Sequence, residues 1–345
     1  MSQRLSGAAR QAPRWERCTN AANQLIGELV GQAYVERYFP PSEKAKGIRI
    51  VENLRDVLAD RIRSLDWMGP ATKKEALAKV ASLRIQVGYP DTWKDYSALR
   101  IDRAAFVGNF ERAREFELDR QMKMVGHPPH AGEWMSGVPQ VFDGLAGALN
   151  TITFTAAAFQ EPWYDPKGDE PANYGALGMV IGHEMTHHFD DNGRHYDAAG
   201  NLRDWWTPED AARYNQRARL LVDQFDHYTE LDQPLNGKLL LGENLADLGG
   251  VKIAYLSMEK ALRGKPRRVI NGYTPEQRFF IAFAHWQASK SRPEYIRQRL
   301  ATNGHAPDEY RVNGPVSDMP EFAVAFHCKS EDLMVRPANQ RPQIW

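Results

Sequence analysis

His183-Glu184-Met185-Thr186-His187, at the end of the apolar run Gly175-Ala176-Leu177-Gly178-Met179-Val180-Ile181-Gly182, is the stretch on which the reading of this sequence turns. Over 175–189 the pattern is that of an apolar helix with polar interruptions. Two histidines four residues apart project from one helix face, about 6 Å from each other, so both imidazoles can reach one ion of the Zn²⁺ type. Glu184 lies beside that face, where a general base acting on water at the ion must sit. A catalytic zinc takes three protein ligands and keeps one position open. The H-E-x-x-H-x-x-G-x-x-H spacing would need Gly and His where this chain has Asp190 and Gly193, so the third ligand comes from elsewhere. Gly242-Glu243-Asn244-Leu245-Ala246-Asp247 offers it. Glu243 and Asp247 share a helix face at i and i+4, so Glu243 can ligate while Asp247 accepts a hydrogen bond from the distal nitrogen of a zinc histidine.

Outward from this centre the chain divides in character. Ile48, Val51, Leu54, Leu58, Ile62 and Leu65 step by three and four, one apolar stripe on a helix. Pro70 opens a second helical run to about Arg84, Gly88-Tyr89-Pro90-Asp91 reads as a turn, and residues 99–125 read as a charged helix. Pro128-Pro129 marks a hinge. Beyond it, Asn150 to Thr155 alternates polar with apolar, as a half-buried strand does. Thr207-Pro208-Glu209-Asp210 is a helix start, followed by helical runs near 208–226, 243–263 and 275–302. The expected fold class is mainly α with a small β-sheet, α+β. The expected layout is a helical segment, then a small mixed α/β region with helices around the chemistry.

Composition sets the outer bounds. Of 345 residues 42% are apolar and 26% charged, the balance of a folded globular protein. Lys+Arg and Asp+Glu both number 44, so no net field recruits nucleic acid. No run approaches the 18 or so apolar residues of a membrane span. Residues 1–10 lack the apolar core of a signal peptide, which reads as a cytoplasmic chain or a trimmed piece of a longer one. Cys18 and Cys328 form no disulfide framework and no thiolate metal motif. His188, His195 and His285 read as surface or core histidines, Asp190 as a support for a zinc histidine, and Trp205-Trp206 as packing.

Several stretches together resemble the neprilysin family of zinc endopeptidases, which includes endothelin-converting enzymes and bacterial oligopeptidases. They are Asn173-Tyr174-Gly175 through Gly193, Asp204-Trp205-Trp206-Thr207, Gly242-Glu243-Asn244 through Gly250, and Arg292-Pro293-Glu294-Tyr295. Weaker matches are Pro13-Arg14-Trp15 to Cys18, Leu65-Asp66-Trp67-Met68, and the tail from Phe326-His327-Cys328 to Trp345. The likeness runs end to end but covers only the family's C-terminal half. It implies a thermolysin-like catalytic domain over 106–345, preceded over 1–105 by a fragment of a helical capping domain. It implies one Zn²⁺ per chain on His183, His187 and Glu243, with Glu184 as base and Asp247 behind a ligand. It also implies His305 as oxyanion donor, and Arg311 as a residue that holds substrate or the active-site framework. The activity implied is hydrolysis of oligopeptides, with a peptidase-like binding or scaffold subunit as the alternative. A periplasmic or secreted location also fits the family.

Two positions depart from the family pattern. Phe142-Asp143 stands where the family has Asn-Ala on the strand that grips substrate, and Phe offers no amide to a peptide main chain. Trp286 comes one position early, leaving Gln287 in the expected place of a tryptophan. The half-length match and the apolar stripe of 48–65, read as unpaired, lead to the expectation of a second chain in a heterodimer, with a homo-oligomer as fallback. In family members with disulfides the positions of Cys18 and Cys328 pair with the N-terminal half, so the resemblance does not require them to pair with each other.

Overall fold

In a computed structural model of the chain, residues 5–127, 132, 134, 137–147 and 149–345 are described; the expected hinge at Pro128-Pro129 lies outside them. The fold is helical around small sheets, as the sequence suggests. Helix α1 (Arg14–Tyr38) leads into α2 (Pro41–Ser64) and α3 (Pro70–Ala81), both with Pro in the first turn, where its missing N–H costs nothing. Strand β1 (Arg84–Gly88), helix α4 (Phe106–Met124), and strands β2 (Gly144–Gly147) and β3 (Thr151–Thr155) follow. The three strands form one sheet in the order β1-β3-β2. β1 runs parallel to β3 with Arg84 opposite Thr151, and β2 runs antiparallel with Gly144 opposite Phe154. β2 is therefore an edge strand among the described residues.

A short turn at Glu170–Asn173 and a π-helical turn at Tyr174–Gly178 run into α5 (Met179–His187), which carries the histidine pair. Next come α6 (Pro208–Asp226), a two-residue ladder of β4 (Thr229–Glu230) and β5 (Gln233–Pro234), and α7 (Leu241–Ala261). Thr207 caps α6 as its sequence signals, its hydroxyl accepting from the Asp210 N–H at 3.2 Å. The run expected over 275–302 is two helices, α8 (Pro275–Trp286) and α9 (Pro293–Thr302). Pro293 cannot continue a helix and holds Arg292 extended, at φ −76° and ψ 147°. Helices α10 (Asp308–Ser317) and α11 (Pro320–Ala325) complete the list.

The apolar stripe of α2 is not unpaired, and this corrects the sequence reading. Val51, Leu54, Leu58 and Ile62 have no exposed surface, and α2 packs on α3, β1 and α7 of its own chain. Asn53 ties the contact by donating to the Tyr174 hydroxyl at 2.8 Å and to the Ser257 carbonyl at 3.2 Å. The tail is equally internal. Trp67 Nε1 donates to Ile344 O, and Trp345 Nε1 donates to Leu245 O, at 3.1 and 3.2 Å. Cys18 and Cys328 are both free thiols. Among the described residues no helix is long and apolar enough to cross a membrane.

Candidate metal centre

The centre exists because two buried helices touch backbone to backbone. α5 is buried from Met179 to Thr186 and lies along α7. At the crossing, a Cβ on Gly182 would stand 2.8 Å from Gly250 O, and a Cβ on Gly250 would stand 2.7 Å from His183 N. Only glycine permits that approach. It brings the Glu243 and Asp247 turn of α7 beside the histidine face of α5.

His183, His187 and Glu243 converge, with one ligand atom from each within 4.8 Å of the others. The Nε2 atoms of His183 and His187 are 3.0 Å apart, and Glu243 Oε2 is 3.3 Å from the first and 3.7 Å from the second. Four ligands around zinc at 2.0–2.1 Å would be about 3.3 Å apart in a tetrahedron, so these three atoms have the spacing of a tetrahedral face. Glu243 Oε2 is buried and meets none of the nearby nitrogens in hydrogen-bond geometry, which leaves its lone pairs to a cation. The donor set of two imidazoles and a carboxylate suits zinc chemically.

Carboxylates behind the histidines orient both rings. Asp247 Oδ1 lies 2.8 Å from His183 Nδ1, and Asp190 Oδ2 lies 2.7 Å from His187 Nδ1. Each leaves Nε2 to face the centre. Arg311 grips Asp247 with two hydrogen bonds, Nε to Oδ2 at 2.8 Å and Nη2 to Oδ1 at 2.7 Å. The guanidinium is buried, with Nε and Nη2 both turned to Asp247. His305 stands at the rim with Nε2 3.0 Å from Glu243 Oε2, its Nδ1 2.9 Å from Asn303 Oδ1.

Glu184 points toward β2, where its Oε2 accepts the Ala146 N–H at 2.7 Å. Burial raises its pKa, against the pull of His183, His187 and that N–H. Burial also opposes a charge on His183, yet Asp247 and Glu243 outweigh it and hold that imidazole up to about 10. Glu243 is held well below the carboxylate range, its burial overcome by the His183 and His305 imidazoles beside it. Such a negative pocket concentrates a divalent cation as it does a proton. The contact to Ala146 has no side-chain signal and is not legible in the sequence.

The two positions that depart from the family pattern meet in space. Phe142 packs on Trp163 and Trp286, with ring centroids 4.5 and 6.5 Å apart. Gln287 is buried beside them in sequence, its Nε2 without a partner. Trp205 and Trp206 are packing residues, as read, in a cluster with Trp67 and Tyr214. His188 is buried, and burial pushes it down to about 3, so it is a neutral core residue.

Comparison with known proteins agrees with this geometry. A family model described as peptidase family M13 matches residues 146–341, and a second of the same description matches residues 1–90. Over 366 aligned residues the chain is 34% identical to Neprilysin-2 of Drosophila melanogaster, covering 99% of this chain and 47% of that protein. Human neprilysin is 32% identical over 355 residues, at 99% and 47% coverage. The chain is also similar to the crystal structure of Mycobacterium tuberculosis zinc metalloprotease Zmp1 with an inhibitor. There the TM-score is 0.93 at 38% identity, over 99% of this chain and 53% of that one. The chain thus spans about half the length of the relatives it matches.

Proposed function

The chain belongs to peptidase family M13, the neprilysin family of zinc metalloendopeptidases, and from that premise we propose that it hydrolyses internal peptide bonds of oligopeptides. One observation carries the proposal: the ligand atoms of His183, His187 and Glu243 converge with the Glu184 carboxylate alongside. Those three residues would hold one Zn²⁺. When bound, such an ion acidifies water and polarises a carbonyl.

The chain's own residues supply the rest. Glu184, buried and raised in pKa, takes a proton from water and returns it to the leaving amine. Its bond to Ala146 fixes its carboxylate against the edge strand. β2, an edge strand among the described residues, offers its remaining main-chain groups to an extended peptide, its Ala146 N–H being held by Glu184. His305, the least buried imidazole of the set, presents Nε2 to the oxyanion as it forms. Arg311 and Asp247 keep His183 in one orientation. With Glu184→Gln, zinc content should stay near one ion per chain while peptide turnover falls by about 10²–10⁴. A variant that keeps its turnover would sink the assigned role.

A second reading, a binding subunit without turnover, draws on Phe142, whose ring packs on aromatics where the family has a peptide-gripping amide. Absence of cleavage of a mixed peptide library by the zinc-loaded chain would favour it. The expected second chain has support from apolar side chains left exposed on α1 and α4, among them Trp15, Leu118 and Met122. We infer that further protein covers these side chains, as a heterodimer partner or, failing that, a second copy. A monodisperse monomer in light scattering would refute that.

A further inference from the structure

We propose that Lys79 is a positioning residue for the metal centre, its ammonium holding the 188–196 loop that aims Asp190 at His187. The inference rests on the zinc reading above and extends it to a residue of α3, far from the ligands in sequence. In a run rich in Lys, Glu and Ala, Lys79 looks like one solvated lysine among several. The structure places it on the buried face of α3, with Thr72, Ala76 and Val80, at 2% exposure.

The Lys79 ammonium donates to three carbonyls: His188 O at 2.7 Å, Gly193 O at 2.8 Å and Tyr196 O at 2.6 Å. An ammonium has three N–H groups, so every donor is used. His188 is the first residue past α5, and its carbonyl is one of those a helix C-terminus leaves unpaired. A cation there also meets the negative end of the helix dipole. Asn150 Nδ2 donates to Lys79 O at 2.7 Å, which pins the last turn of α3 in place.

Gly193 links Lys79 to the metal ligand. Its carbonyl goes to Lys79, while its N–H goes to Asp190 Oδ1 at 2.6 Å. The same oxygen accepts from Asn192 N at 2.9 Å. The other oxygen of Asp190 is the one 2.7 Å from His187 Nδ1. The loop is folded hard against the helix end, since a Cβ on Gly193 would fall 1.8 Å from His187 O. Without the ammonium, His188 O loses its partner. Gly193 O keeps only the Tyr196 N–H at 3.1 Å and Tyr196 O only Trp205 Nε1 at 3.1 Å, so the tie that joins these three points of the loop is lost. Burying an ammonium against neutral carbonyls is a costly way to gain stability, because its desolvation offsets most of the attraction. It is an effective way to fix three backbone positions at once.

The test is the zinc affinity of the full chain, measured by competition with a chromophoric chelator. Lys79→Met should lose about tenfold to a hundredfold in affinity, the usual loss for a support behind a metal ligand. Lys79→Arg, which keeps charge and donors, should recover most of it. Asp190→Asn should weaken binding similarly, and the double variant Lys79→Met/Asp190→Asn should be no weaker than Asp190→Asn alone. Wild-type affinity in Lys79→Met, or losses that multiply in the double variant, would overturn the proposal. If Lys79→Met does not fold, Lys79→Gln is compared with Lys79→Arg. Gln reaches less far, so an affinity equal to wild type in that variant overturns the proposal as well. A wild-type chain that binds no zinc refutes the metal reading itself, a result distinct from any of these.

Discussion

Replacing Gly250 with alanine tests the helix contact on which the metal centre depends. The added methyl would meet His183 N at 2.7 Å, Met179 O at 2.8 Å and His183 Cα at 2.9 Å, all backbone atoms of α5. Ordinary contact begins at 3.4 Å, so α5 and α7 must part by 3.4 − 2.7, or 0.7 Å. A close-packed interior resists that. Overpacking costs about 1–3 kcal/mol, and three simultaneous backbone clashes put this site at the upper end. Alanine returns about 1 kcal/mol in helix propensity, for a net loss of about 2 kcal/mol. The same displacement carries Glu243 away from both histidines, from spacings of 3.3 and 3.7 Å that now fit a tetrahedral face. Gly250→Ala should therefore lower the urea midpoint of the metal-free chain and reduce zinc affinity by about tenfold or more. If the variant unfolds at the wild-type midpoint and binds zinc unchanged, the crossing is not held by backbone contact and the argument fails.

Leu54→Glu would bury a carboxylate among the apolar side chains of α2, at a cost of about 3–5 kcal/mol. Circular dichroism should show loss of the fold; a folded variant altered only in oligomeric state would mean that this stripe faces a partner after all. Asp318 lies beside Arg336, Nε to Oδ1 at 3.2 Å, yet burial outweighs the arginine and raises its carboxyl from 3.8 to about 7. A carboxyl that holds its proton more tightly when folded contributes stability below pH 4, and that contribution is lost as pH rises to 7. The ceiling on that loss is about 4 kcal/mol. Asp318→Asn should gain on wild type in urea midpoint between pH 5 and pH 8, and an equal gap at both values would show that the folded protein does not hold that proton.

The metal ligands were legible because their chemistry is local. The His183–His187 pair and the Glu243–Asp247 pair each lie one helical turn apart, and one turn fixes a shared face. Thr207-Pro208 announced α6 for the same reason, its cap being made within four residues. Long-range partners were not legible. β1 is only Arg-Ile-Gln-Val-Gly, and its parallel partner begins at Thr151, so nothing nearby marks it as a strand. β2, Gly-Leu-Ala-Gly, has no β-branched or aromatic residue and is a strand through its pairing alone. The stripe of α2 was read correctly as apolar, but a stripe does not name its partner, and α7 follows some two hundred residues later. Lys79 did leave a trace, since it falls on the Thr72-Ala76-Val80 stripe, where a solvated lysine should not.

The tail contact of Trp67 with Ile344 spans 277 residues, that of Asn53 with Ser257 spans 204, and that of Lys79 with Tyr196 spans 117. Contacts so distant in sequence form only after the entropy of closing long loops has been spent, and chains dominated by them fold slowly. A half-folded chain can offer a metal ion His183 and His187, four residues apart on a nascent helix. Glu243 it gains only with the packing of α7, an element that begins at Leu241, on α5. Assembly of the complete ligand set is therefore a late folding event, and the rate at which the chain becomes competent to hold its ion is the rate at which its whole core forms.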